Sequence, residues 1–204
     1  MIGVLTGDLI NSRSLVAEDW IRELERVLSR YGPSPQKWEV FRGDSFQLEV
    51  APERSFKVAV AIKAQIKMLA SLDVRIGVGI GTKEYDSGKI TTSNGSAYIH
   101  SGECFDSLGK KTLRVKTPWP DFDESMNVAF DLATLTMDSW TPTSSETIVQ
   151  LLEVPRMSQV TLARRLNKSQ SNVSEALSRG GFKEIMNLER YFQKEVREKC
   201  GGFC

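Results

Sequence analysis

"FRGDSFQLEV", residues 41–50, decides the fold. Phe46, Leu48 and Val50 alternate with Ser45, Gln47 and Glu49, the period of a strand with one buried face. Upstream, Trp38–Phe41 is a second short apolar run, and a turn at Arg42-Gly43-Asp44 joins the two into a hairpin. Working outward, residues 1–6 read as a strand. Trp20, Ile21, Leu24, Val27, Leu28 and Tyr31 keep helical spacing, and "YGPSP" ends that helix. A second helix is expected from about 54 to 72. "VRIGVGIG" (74–81) then reads as a strand with Val74, Ile76, Val78 and Ile80 on one face and Gly77, Gly79 and Gly81 on the other. The order is β-α-β-β-α-β, the ferredoxin-like order, so an α+β sheet with helices on one face is expected. A helix near 96–108, a strand near 113–116 and a helix near 124–137 follow.

Bulk properties set few limits. The 204 residues suit one ordinary domain plus a small one, and 40% hydrophobic with 26% charged residues is average for a globular chain. No apolar run approaches the roughly 20 residues of a membrane helix, and "MIGVLTGD" shows no basic flank or cleavage site, so neither a membrane span nor a signal peptide is expected. Three cysteines without framework spacing point to a reduced, cytoplasmic protein. The net charge of +1 is unevenly placed: residues 143–199 hold ten Lys/Arg against seven Asp/Glu. "SWTPTSS" (139–145) marks the boundary, giving a sheet domain over 1–139 and a basic all-α module over 140–204.

In the ferredoxin-like order the first strand lies beside the third and antiparallel to it. The end of strand one, "TGD", therefore meets the start of strand three, "RGDS". Asp8 and Asp44 converge on one sheet edge, and a carboxylate pair of that kind suits Mg²⁺. Asn11, Ser12 and the backbone amides of "GDLINSR" could cradle phosphate oxygens. Arg42 and Arg75 fall near the same end, either as phosphate contacts or as counter-charges to the aspartates. A plainer reading stays open: Gly-Asp is a favoured two-residue hairpin loop, and Asp8 could cap the following helix.

"TGDLINS", "RGDSF" and "RIGVGIG" together resemble the class III nucleotide cyclases and their palm-domain relatives, and more narrowly the SatD-like bacterial proteins. The resemblance spans residues 1 to about 115. It implies that Asp8 and Asp44, with the Leu9 carbonyl, hold metal over a nucleotide. It departs in "NGSAYIHSGECF" (94–105), where Ile99 and Glu103 stand at positions that cyclases fill with Asn and Arg. Neither can hold a ribose or a transition-state phosphate. The metal-binding half of such a site is expected without the catalytic half.

The second pattern is "SQVTLARRLNKSQSNVSEALSRGGF", residues 158–182. Leu162, Ala163 and Leu166 form one apolar face, Val173, Ala176 and Leu177 another, and Asn167-Lys168-Ser169 a turn between them. Asn167 tolerates the left-handed conformation such a turn needs, and Ser169 is a natural N-cap. Thr143 to Glu146 reads as a capping box for a supporting helix. This spacing resembles the helix-turn-helix of bacterial regulators. That implies Gln170, Ser171, Asn172 and Ser174 facing base edges of double-stranded DNA, with Arg164, Arg165, Lys168, Ser169 and Arg179 on or near phosphates. A plain helical bundle would use the same packing. A last helix to about 199 is expected to pack on this module or on a second subunit. Both halves favour a homodimer. His100 is expected to be structural or exposed, and Cys200 and Cys204 to lie in a mobile tail.

Overall fold

The computed structural model describes residues 1–154 and 157–201. The elements in chain order are β1 (Ile2–Ile10), α1 (Ala17–Leu28), β2 (Trp38–Phe41), β3 (Ser45–Val50), α2 (Ser55–Lys67), β4 (Asp73–Gly81), α3 (Ser96–Asp106), β5 (Leu113–Lys116), α4 (Pro120–Met137), α5 (Pro142–Glu153), α6 (Gln159–Arg165), α7 (Gln170–Arg179) and α8 (Phe182–Gly201). The fold is mixed α+β. Its five-stranded sheet has the order β2-β3-β1-β4-β5. β1 is antiparallel to both neighbours, β3 and β4, while β5 joins β4 in parallel. The parallel pair follows from α3, which carries the chain back across the sheet between β4 and β5.

β1 is longer than its apolar run suggests. Polar Asp8 does not end it, because pairing with β4 keeps residues 8–10 in the ladder: Asp8 lies opposite Arg75 and Ile10 opposite Asp73. Leu5, Phe46, Leu48, Val74, Ile76, Val78 and Ile80 are buried with α1 and α2 in one core.

The other face is also covered, so the expectation of helices on one face is corrected. α3 lies directly on β4. A Cβ on Gly79 would stand 2.2 Å from the Ser101 nitrogen and 2.3 Å from the Ala97 carbonyl oxygen, and one on Gly77 would stand 2.5 Å from the Phe105 nitrogen. Glycine at positions 77, 79 and 81 of β4 leaves no side chain there to keep a helix off. Val4, Ile90, Ala97 and Tyr98 form the small core on this side.

The apolar core does not stop at residue 139. α8 runs back over the sheet layer, where Phe192 meets Phe56, Phe122 and Phe130 at ring-centroid distances of 5.9, 5.7 and 5.9 Å. The final helix therefore packs on α2 and α4 as well as on its own module. Polar pins reinforce this junction. Lys63, 3% exposed, holds Asp73 at 2.6 Å and Asp138 at 2.7 Å. The Trp140 indole N–H donates to the Gly180 carbonyl at 2.8 Å.

Candidate functional site

The hairpin loop at the sheet end has three residues, not two. Phe41 pairs with Ser45, and Arg42 and Gly43 both take positive φ, 50° and 90°. Asp44 thereby points its carbonyl at the Leu9 amide (3.3 Å) and accepts the Ser12 hydroxyl on Oδ2 at 2.5 Å. Asp8 and Asp44 do share one end of the sheet, since Asp8 is opposite Ser45 in the ladder.

Asp8 is already partnered. Arg75 donates from Nε to Oδ1 at 2.9 Å and from Nη2 to Oδ2 at 2.5 Å, a two-pronged pair. The guanidinium also lies over the Phe105 ring, 5.6 Å from its centroid. Its hydrogen bonds to Asp8, and the negative charge of Asp8 and Asp44, raise the arginine's pKa above its ordinary value against some burial. Arg75 thus stands as a counter-charge to Asp8. Leu9 puts its side chain into the main core. Asn11, at φ 62°, turns its amide to the Ser71 carbonyl (3.2 Å), away from the hairpin contact that Ser12 makes. Among the described residues no group of three or more His, Cys, Asp or Glu is placed to hold a metal ion.

A cleft of about 530 Å³ opens beside this end, on the face that α3 leaves uncovered over β3 and β2. Thr6, Ser45 and Gln47 form its floor, with Arg42 at the hairpin and Lys89 and Phe105 at the rim. Gln47 donates to the Thr6 hydroxyl at 3.2 Å, and Lys89 pairs with Glu39 at 2.9 Å. Sequence reasoning did not single out Thr6, Gln47 or Lys89. The available signal was the polar alternate face of "SFQLEV", which a solvated strand shows equally. Ile99 is 53% exposed on α3, and Glu103 is tied to Lys116 at 2.7 Å.

α6 ends in a full C-terminal motif. The Lys168 amide reaches the Ala163 carbonyl (2.9 Å) and the Asn167 amide that of Arg164 (3.2 Å), with Asn167 at φ 52°. Ser169 then caps α7 by accepting from the Asn172 amide at 3.1 Å. Leu162, Ala163, Val173, Ala176 and Leu177 are buried between the helices. Gln170, Ser171, Asn172, Ser174, Arg164 and Arg165 are exposed. Lys168 instead turns inward to Glu146 of α5 at 2.6 Å, and Arg179 lies 3.5 Å from Glu175 on the α7 surface. The expected capping box at Thr143 is corrected: Thr141 caps α5, accepting from the Ser144 amide, and Pro142 takes the first helical position.

His100 hydrogen-bonds the Ile80 carbonyl through Nδ1 (2.7 Å). Cys200 lies 3.6 Å from the Met1 sulfur, while Cys204 falls outside the described residues. Among the described residues no helix is long and apolar enough to cross a membrane. No protein-family model and no curated protein sequence matches the chain.

Proposed function

We propose that this chain is a DNA-binding regulator: a homodimer that reads duplex DNA with α7 and binds a nucleotide, with or without Mg²⁺, at the β1–β3 end of its sheet. The observation that carries the reading is the α6–α7 unit. Its tight asparagine turn, capped second helix and buried inner face support a helix-turn-helix, and they leave Gln170, Ser171, Asn172 and Ser174 clear of the core. Asn and Gln can pair bidentately with adenine, and Arg164 and Arg165 flank the helix without an acidic partner among the described residues. Fluorescence anisotropy with selected duplexes tests this. Asn172→Ala should weaken the best site by about 1–3 kcal/mol. Arg164→Ala should weaken all sequences alike and reduce the salt slope by about one. Duplex affinity untouched by both changes overturns the reading.

For the sheet, β1 lying between β3 and β4 and antiparallel to both supports the ferredoxin-like, cyclase-like assignment. Asp8, Asp44 and the Leu9 carbonyl would hold Mg²⁺, which when bound neutralises phosphate charge. A cation there competes with Arg75 for Asp8. Arg75→Ala should therefore strengthen Mg²⁺ binding by about fivefold, since a pair this exposed contributes about 1 kcal/mol. Calorimetry against nucleotides with and without Mg²⁺ measures it, with Asp44→Asn as the loss control. The second reading is an active nucleotidyl cyclase or oligonucleotide synthetase. The two aspartates favour it; exposed Ile99 and lysine-bound Glu103 supply nothing for a ribose or a transition-state phosphate. Turnover of NTP that Asp44→Asn abolishes would select that reading over binding alone.

A further inference from the structure

Among the described residues three charged side chains are buried: Glu49, Lys63 and Glu189. Charged groups are almost never buried so far unless they are paired. Glu49 has Lys37, Lys83 and the Tyr98 hydroxyl, and Lys63 has Asp73 and Asp138. Glu189, 8% exposed on α8, has neither a hydrogen bond nor an ion pair among the described residues. Its carboxylate is not sealed among packed side chains. It borders a pocket of about 490 Å³ where α2, α5, α7 and α8 meet. That volume lies within the range of small-molecule sites.

The rest of the lining is specific in its chemistry. Leu152 of α5, Met157, Leu177 of α7, and Phe182 and Met186 of α8 form apolar walls. Lys57 of α2 also lines the pocket and has no acidic partner among the described residues. It is shared with an adjoining cleft that holds Arg54, likewise without an acidic partner, and the Arg30–Glu153 pair. The Lys57 end is therefore positive. Arg190, the remaining charged group in the lining, donates to the Asn187 side chain. Lys57 and Glu189 thus border one cavity without closing on each other as an ion pair.

We propose that this pocket binds an apolar α-amino acid, its ammonium on Glu189, its carboxylate on Lys57 and its side chain against the leucine, methionine and phenylalanine walls. Each part answers a separate observation. An uncommitted buried carboxylate calls for a cation, an uncommitted ammonium beside it calls for an anion, and the walls call for a hydrocarbon body. A plain amine would leave Lys57 unpaired and set a second cation beside it. A plain carboxylic acid would leave Glu189 unpaired and set a second anion beside it. A zwitterion answers both charges. The site is separate from the exposed face of α7 and from the β1–β3 end of the sheet, and it stands without either.

Calorimetry of the full chain with L-leucine, L-methionine and L-phenylalanine is the test. At least one should bind, at one per chain. For the tightest of them, the amine lacking the carboxylate and the acid lacking the amine should each bind at least about tenfold more weakly. Glu189→Gln should weaken the amino acid about tenfold and leave the acid analogue unchanged. Lys57→Met should weaken it to a similar extent and leave the amine analogue unchanged. Without ligand, Glu189→Gln should melt no lower than the wild type, since no partner is lost and an unpaired buried charge is removed. No binding of the three at millimolar concentration overturns the proposal, as does an amine or an acid that binds as tightly as the amino acid. Affinity indifferent to both substitutions also overturns it. So does a Glu189→Gln chain that melts lower without ligand, which would reveal a structural partner for the carboxylate.

Discussion

Glu49 is 5% exposed on the sheet face under α3, yet it carries a charge. Lys37 pairs with one oxygen, while Lys83 (2.9 Å) and the Tyr98 hydroxyl (3.0 Å) donate to the other. Burial alone would raise its pKa. The hydrogen bonds from Lys37, Lys83 and Tyr98 outweigh burial and hold it below the ordinary value, while burial and the carboxylate's charge push Tyr98 up to about 12. A depressed carboxyl pKa gives stability that is present above the unfolded value and lost as pH falls through the folded one. Glu49→Gln should therefore lower the unfolding free energy at pH 7 by about 2 kcal/mol. It should also flatten the decline below about pH 4.5. Urea titrations across pH measure both. Residues of this kind are hard to read in advance. Glu49 sits in the alternating polar set of "SFQLEV", where a solvated and a buried glutamate look alike. The placing of Asp8 and Asp44 at one end of the sheet was legible, because it follows from strand order. The two-pronged claim of Arg75 on Asp8 was not, because it depends on β1 continuing four residues beyond its apolar run.

Among the elements, periodic helices and strands were legible nearly to their ends, and so was the α6–α7 turn. The position of α3 was not. The glycines of "VRIGVGIG" were placed on one face, but a row of glycines reads as well for an open face as for a bed under a helix. Their role makes a sharp test. Gly79→Ala puts a methyl against backbone atoms that cannot rotate away, so α3 must lift from β4. We expect a loss of about 3 kcal/mol, read as a lower urea midpoint with an unchanged slope. The displaced cap of α5 has a local cause. Pro142 is favoured at the first helical position, which moves the cap to Thr141 and frees Glu146 to take Lys168.

Across the whole molecule, the phenylalanine cluster joins what the sequence divides. "SWTPTSS" has the composition of a linker, but composition does not report that α8 returns to the sheet layer. Phe192→Ala should cost about 3–5 kcal/mol, and far-ultraviolet dichroism and tryptophan fluorescence should still shift together as one transition. A second transition would show that the sheet and the C-terminal helices melt separately. The pins at the junction carry one more consequence. Arg75 stands two residues from Asp73, Asp73 shares Lys63 with Asp138, and Trp140 hangs on the carbonyl of Gly180, the residue that caps the end of α7. The stretch between the acid-bearing strand end and the base-facing helix is thus spanned by short polar bonds, with no slack tether among them. Residues inserted there would cut a strut and would not lengthen a hinge.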